Sequence, residues 1–182
     1  MISCQGGGAG HSSGSQSLRS DDGASDGLTK SDKDALDAAE KTYQELKSES
    51  DAALVILRNS NNEISADTIN VKTGQSIDQK GVDDCKDGTA FRNAVNTARN
   101  DVETKKQSSD ELEVHLRTLL AKNAEAAVEA NIGNILRTRL KNFYGSYRDP
   151  IDDNYNKGLS YFEQIMNKCN IINQKSSQPN TP

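Results

Sequence analysis

Three cysteines, two histidines and two carboxylate pairs are the residues that could carry chemistry in this 182-residue chain. Cys4 sits in the opening MISCQGGGAGHSSGSQ, Cys85 in the middle of the chain and Cys169 near its C-terminal end. An odd cysteine count in an exported protein usually leaves one thiol with a separate job. If Cys4 has that job, Cys85 and Cys169 can pair in an oxidising compartment and tie a central loop to the helical body. The other reading makes Cys169 a small core hydrophobe and Cys85 a free thiol.

The remaining groups do not assemble into a reaction centre. His11 and His115 have no cysteine or second histidine at a metal-ligand spacing. Gly6-Gly7-Gly8 lacks both the preceding strand and the Gly-Lys-Ser/Thr ending of a phosphate loop. Asp83-Asp84 has no acid/base partner nearby, and Asp87-Gly88 does not extend into a calcium loop. Asp152-Asp153 suits the positive end of a helix dipole. The sequence predicts no catalytic residue, no metal site and no cofactor.

Composition narrows the class further. Hydrophobic residues make up 33%, charged residues 27% and aromatics 4%, with no Trp. The mean hydropathy is -0.79, so polar segments dilute a modest core. A net charge of -5 argues against a nucleic-acid partner, which calls for a basic stripe or patch. The longest apolar run, Ala52 to Leu57, is far short of a membrane span.

Helical periodicity organises the rest. Residues 1–29 read as a flexible tether, 30–174 as the folded domain and 175–182 as a disordered tail. A first helix starts at Ser31, capped with Asp34, and carries Leu36, Ala39, Tyr43, Leu46, Ala53 and Leu57 on one face. The run Asn59-Ser60-Asn61-Asn62 ends it. Residues 59–88 read as a long loop with one short helix near 64–70. A second helix spans Thr89 to about Lys106, with Phe91, Val95, Ala98 and Val102 facing inward. The capping box Ser108–Glu111 opens a long third helix, with a bend near Gly133 and an end at Gly145 or Tyr147. Asp149 and Pro150 start a fourth, whose stripe runs Ile151, Tyr155, Leu159, Phe162, Ile165 or Met166, Cys169 and Ile172. No alternating pattern suggests a sheet. The predicted fold is an all-α, up-down bundle of about four helices with one long inter-helix loop.

Three surfaces are candidate binding sites. One is the 59–88 loop, whose Ile64, Ile69 and Ile77 either meet a ligand or cover the bundle end. The second is the helix three–four corner with Tyr144, Tyr147 and Arg148, residue types that interface hot spots favour, or that cap a core. The third is the basic row Arg137, Arg139, Lys141 and Arg148, suited to an acidic partner or merely a solvated face.

Ile2-Ser3-Cys4 looks like the end of a bacterial lipobox, in which a small residue precedes the cysteine that receives lipid. A complete signal carries a basic start and an apolar segment upstream, and Met1 reads as a start inside the last residues of such a signal. The Gly/Ser/Asp tether that follows is the spacer a lipid anchor needs. Together with the Lys/Asn/Asp/Glu-rich helical body and few aromatics, this start resembles the helical surface lipoproteins of Borrelia spirochaetes. The layout is most similar to the factor H-binding lipoproteins of the relapsing-fever group. That resemblance implies lipidation of Cys4, an outer-membrane, cell-surface location and capture of the host complement regulator factor H, and sometimes of plasminogen. Regulator held at the surface would promote C3b cleavage by host factor I. The alternatives are an adhesin for another host protein and a periplasmic structural lipoprotein without a host ligand.

Overall fold

The computed structural model describes residues 28–76, 78–123 and 132–177. Among them are α1 (Lys30–Thr73), α2 (Gln79–Asp84), α3 (Ala90–Lys122), α4 (Ile132–Phe143), a π-helical segment (Tyr144–Arg148) and α5 (Asp149–Ser176). The protein is an all-α helical bundle. No helix among the described residues is long and apolar enough to cross a membrane.

Helix α1 is 44 residues long, about 66 Å at 1.5 Å per residue. Its cap is Thr29 rather than Ser31. The Thr29 hydroxyl accepts from the Asp32 backbone N–H at 3.2 Å and donates to the Asp32 carboxylate at 2.8 Å. The cap therefore lies two residues earlier, and Leu28 just outside it is buried in the core. The helix does not stop at Asn59–Asn62 but runs on to Thr73. Ser60 and Asn61 lie on its inner face, where α5 satisfies Asn61. Asn61 donates to Gln164 Oε1 at 3.1 Å, and Lys168 Nζ donates to Asn61 Oδ1 at 2.7 Å and to its carbonyl at 3.1 Å. Tertiary partners thus override a local helix-ending composition. The expected long loop contracts to the link Gly74–Thr89, which itself carries α2. Gly74 ends α1 at φ 73°, the left-handed conformation that favours glycine.

Helix α3 also runs through an expected boundary. Ser108 and Glu111 are interior residues, and Ser109 is fully buried on the packed face. The pairs Lys106–Asp110 at 2.5 Å and Gln107–Glu111 at 3.1 Å carry the helix across this point. The corner expected near 145–149 is not a corner either. Pro150 has no N–H to donate to the previous turn. The chain accommodates it with a π segment, in which the Asp149 N–H bonds to the Tyr144 carbonyl, and α4 passes directly into α5. At the C-terminal end, Lys175 and Ser176 are helical and close α5.

The result is three long rods: α1, α3 and α4–π–α5. Two apolar clusters fill their centre. One joins Leu36, Ala39, Tyr43 and Leu46 to Leu116, Leu136, Leu140, Phe143 and Ile151. The other joins Ala53, Leu57, Ile64 and Val71 to Val95, Ala98, Val102, Ile165, Cys169 and Ile172. The first half of α1 therefore meets the first half of the third rod and the end of α3, so α3 runs antiparallel to both. Between the clusters lies a polar waist with Ser50 and Ser109 fully buried and Asn154 donating to Asp51 at 2.6 Å. Gly158 replaces the expected Leu159 at the centre of α5. A Cβ there would sit 3.1 Å from Val102 Cγ2 and 3.2 Å from Leu57 Cδ1, so glycine lets the three rods close up.

Candidate functional site

The residues singled out in the sequence fall into four groups. Ile64 is fully buried in the core, Ile69 points outward at 59% exposure, and Ile77 lies outside the described residues. Ile64 and Ile69 thus sit on different faces of one continuous helix and make no common patch. Cys4 and its tether through residue 27 lie outside the described residues. The Sγ atoms of Cys85 and Cys169 are bonded, with 5.1 Å between their Cα atoms. This bridge joins the end of α2 to α5, with both cysteines buried.

The third group, Tyr144, Tyr147 and Arg148, lies in the π segment, where Tyr147 is set apart from the other two. Tyr147 stacks on Tyr43, ring centroids 6.3 Å apart, and its hydroxyl accepts from Gln44 at 3.1 Å. It is therefore a packing residue of the α1 side. Arg148 turns toward α3, where its Nε lies 2.7 Å from Glu113 Oε2, and its guanidinium covers the Tyr144 ring at 5.6 Å. Glu113 is buried and also binds Arg117, which donates from Nε at 2.8 Å and from Nη2 at 2.5 Å. One buried carboxylate thus orients two arginines. Burial pushes the Tyr144 phenol above its ordinary value, and the Glu113 charge adds to the effect.

The basic row splits in the same way. Arg139 leaves for α1, pairing with Asp37 at 2.7 Å and Glu40 at 3.5 Å. Arg137 and Lys141, one turn apart on α4, stay on the outer side. With Arg117 they line an open groove of about 480 Å³ between α3 and α4. Leu120, Leu140, Tyr144 and Gly145 are apolar lining residues, and Asp149 is the one acid among them. Arg148 lies 3.7 Å from that Asp149. Neither Arg137 nor Lys141 has an ion-pair partner among the described residues.

Sequence reasoning reached Arg137, Lys141 and Tyr144 but missed Arg117 and Leu120. The only local signal for Arg117 is its i,i+4 spacing from Glu113, which looks like any surface helix pair. A second groove of about 420 Å³ lies between α1 and α3, lined by Ala35, Ala38, Ala39, Leu112, Leu116 and Leu119. Its cation, Lys122, is already held by Asp32 at 3.2 Å. No group of three or more His, Cys, Asp or Glu suited to a metal ion occurs among the described residues.

The fold and groove define the class: an all-α bundle with a cation-lined, apolar-floored cleft along one side. No protein-family model, curated protein or solved structure matches the chain.

Proposed function

We propose that the protein is a lipid-anchored surface module that docks a host protein, the complement regulator factor H, and performs no catalysis of its own. The observation that carries the docking role is the α3–α4 groove. On a chain of net charge -5, it gathers Arg117, Arg137 and Lys141 beside the half-buried Leu120 and Tyr144. Charged patches of opposite sign to a partner speed and orient encounter, while a buried aromatic or apolar centre supplies affinity. The choice of factor H rests on the resemblance in composition and layout, and Cys4 with its polar tether supports the anchored location.

The test is a serum pull-down with the full chain carrying Cys4→Ser, at physiological salt. Factor H should be retained, and the double variant Arg137→Glu, Lys141→Glu should retain little. Absence of factor H from the eluate would overturn the assignment. Retention of plasminogen instead, competed by lysine analogues, would move the role to the neighbouring class of host-protein adhesins.

A further inference from the structure

We infer that the α3–α4 groove recognises an acidic protein segment that carries an apolar side chain between its carboxylates. This rests on the docking role proposed above and names the chemistry of the surface it would grip. Three observations lead to it.

The first is that the local sequence leaves the two α4 cations of the groove, Arg137 and Lys141, without acids. Several other helical cations have an acid four residues away: Lys47–Asp51 at 2.6 Å, Arg99–Glu103 at 2.6 Å, Lys106–Asp110 at 2.5 Å and Lys157–Asp153 at 2.5 Å. On α4 the positions four away from Arg137 and Lys141 are Gly133, Gly145 and each other. Two like charges one turn apart oppose helix formation, and nothing on α4 relieves them. A bound carboxylate would.

The second is that Arg117 is aimed. Its side chain is 69% exposed, yet two of its nitrogens are fixed by Glu113, whose other oxygen meets Arg148. A guanidinium held this way loses less freedom on meeting an anion than a free one.

The third is the floor. Leu120, Leu140 and the Tyr144 ring give the groove an apolar base. A sulfated polysaccharide or free phosphate would satisfy the cations but leave this base in water. A peptide with an apolar side chain flanked by Asp or Glu covers both.

The probe is a fluorescent peptide of sequence Glu-Glu-Leu-Glu-Glu-Leu-Glu, read by anisotropy against the full chain with Cys4→Ser. Saturable binding is expected, weakening as salt rises. Arg137→Glu with Lys141→Glu should weaken it at least tenfold with unchanged circular dichroism. Arg58→Glu, an exposed cation on α1, should leave it within twofold. A peptide with Gly in place of Leu should bind several-fold more weakly. No saturable binding, equal binding of the Gly peptide, or binding of heparin but not of the Leu peptide would each overturn the inference. Peptide binding without factor H retention would overturn only the factor H assignment. Factor H retention without peptide binding would overturn only the groove's ligand class.

Discussion

Glu113 on α3 and Arg148 in the π segment meet at 2.7 Å, a contact that ties α3 to the third rod two residues before Pro150. Glu113 is buried, and its two oxygens are shared between Arg148 and Arg117. Replacing it with Gln removes the charge while keeping the shape. The arginine left over Tyr144 then has lost its nearest counter-charge and keeps only the more distant Asp149 and Asp152, at 3.7 and 3.9 Å. Urea unfolding of Glu113→Gln should show a loss of about 1–3 kcal/mol. Any peptide binding by the groove should weaken as well, because Arg117 loses its orienting partner. A variant as stable as the parent would mean that the carboxylate contributes nothing net.

The Cys85–Cys169 bridge closes a loop with a sequence separation of 84 residues. Loop-closure entropy in the unfolded chain assigns such a link about 4.6 kcal/mol. The double Ser variant should therefore melt well below the parent, and a reducing agent should lower the parent's melting temperature to a similar value. In unlipidated protein, thiol titration should find Cys4 alone reactive. Two further reactive thiols in the native, untreated protein would contradict the bridge.

Gly158 tests the close approach of the rods. Its missing Cβ is the space between Val102 and Leu57. Ala should be near neutral, since its helix propensity gain offsets a contact that neighbours must yield a few tenths of an ångström to accept. Val carries its branches further into that contact and should destabilise by about 2 kcal/mol. Thermal melts of the two variants measure the difference; equal melting temperatures would show that the rods have slack there.

Much of the core was legible because periodicity survives poor local composition. Leu36, Ala39, Tyr43, Leu46, Ala53 and Leu57 are all buried on one face of α1. The helix boundaries were less legible, and the reasons are specific. Asn61 looks like a breaker in isolation, but Lys168 and Gln164, over a hundred residues away, satisfy its side chain. Ser108–Glu111 has the letters of a capping box, yet Ser109 is needed inside the waist. Pro150 signals a helix start, and only the π segment shows that a helix can absorb it. The groove was half legible: α4 announced its cations, whereas Arg117 enters from α3, and cross-rod placement leaves no mark on a single helix.

The Thr29–Asp32 cap gives the protein an acid-sensitive end. The Thr29 hydroxyl, and after it Lys122, hold the Asp32 carboxyl below its ordinary value of 3.8, outweighing the opposing effect of burial. A group whose folded value is depressed contributes stability above its unfolded value. That contribution is lost as pH falls through the folded value. Thr29→Ala should cost about 1 kcal/mol at pH 7, and the gap to the parent should shrink below pH 3.8. A gap independent of pH would assign the cap's effect to the hydroxyl–backbone bond alone.

Tyr43 sets the opposite limit. It is fully buried beneath Phe143 and Tyr147, and its hydroxyl reaches the Ser109 carbonyl at 3.4 Å. Burial, with Tyr144 and Glu113 nearby, pushes its phenol from 10.0 up to about 12. Below pH 10 both folded and unfolded forms keep the proton, and folding is not penalised. Between pH 10 and 12 the unfolded chain releases it while the folded chain does not, so stability falls through that window. Ultraviolet titration should therefore show one tyrosine that ionises only near or above pH 12, or only as the helical signal is lost. Tyr43→Phe should remove that step, and its stability should decline less between pH 10 and 12 than the parent's. Ionisation of all five tyrosines together near pH 10 in folded protein would mean that Tyr43 is open to solvent, and that the first apolar cluster is not closed around it.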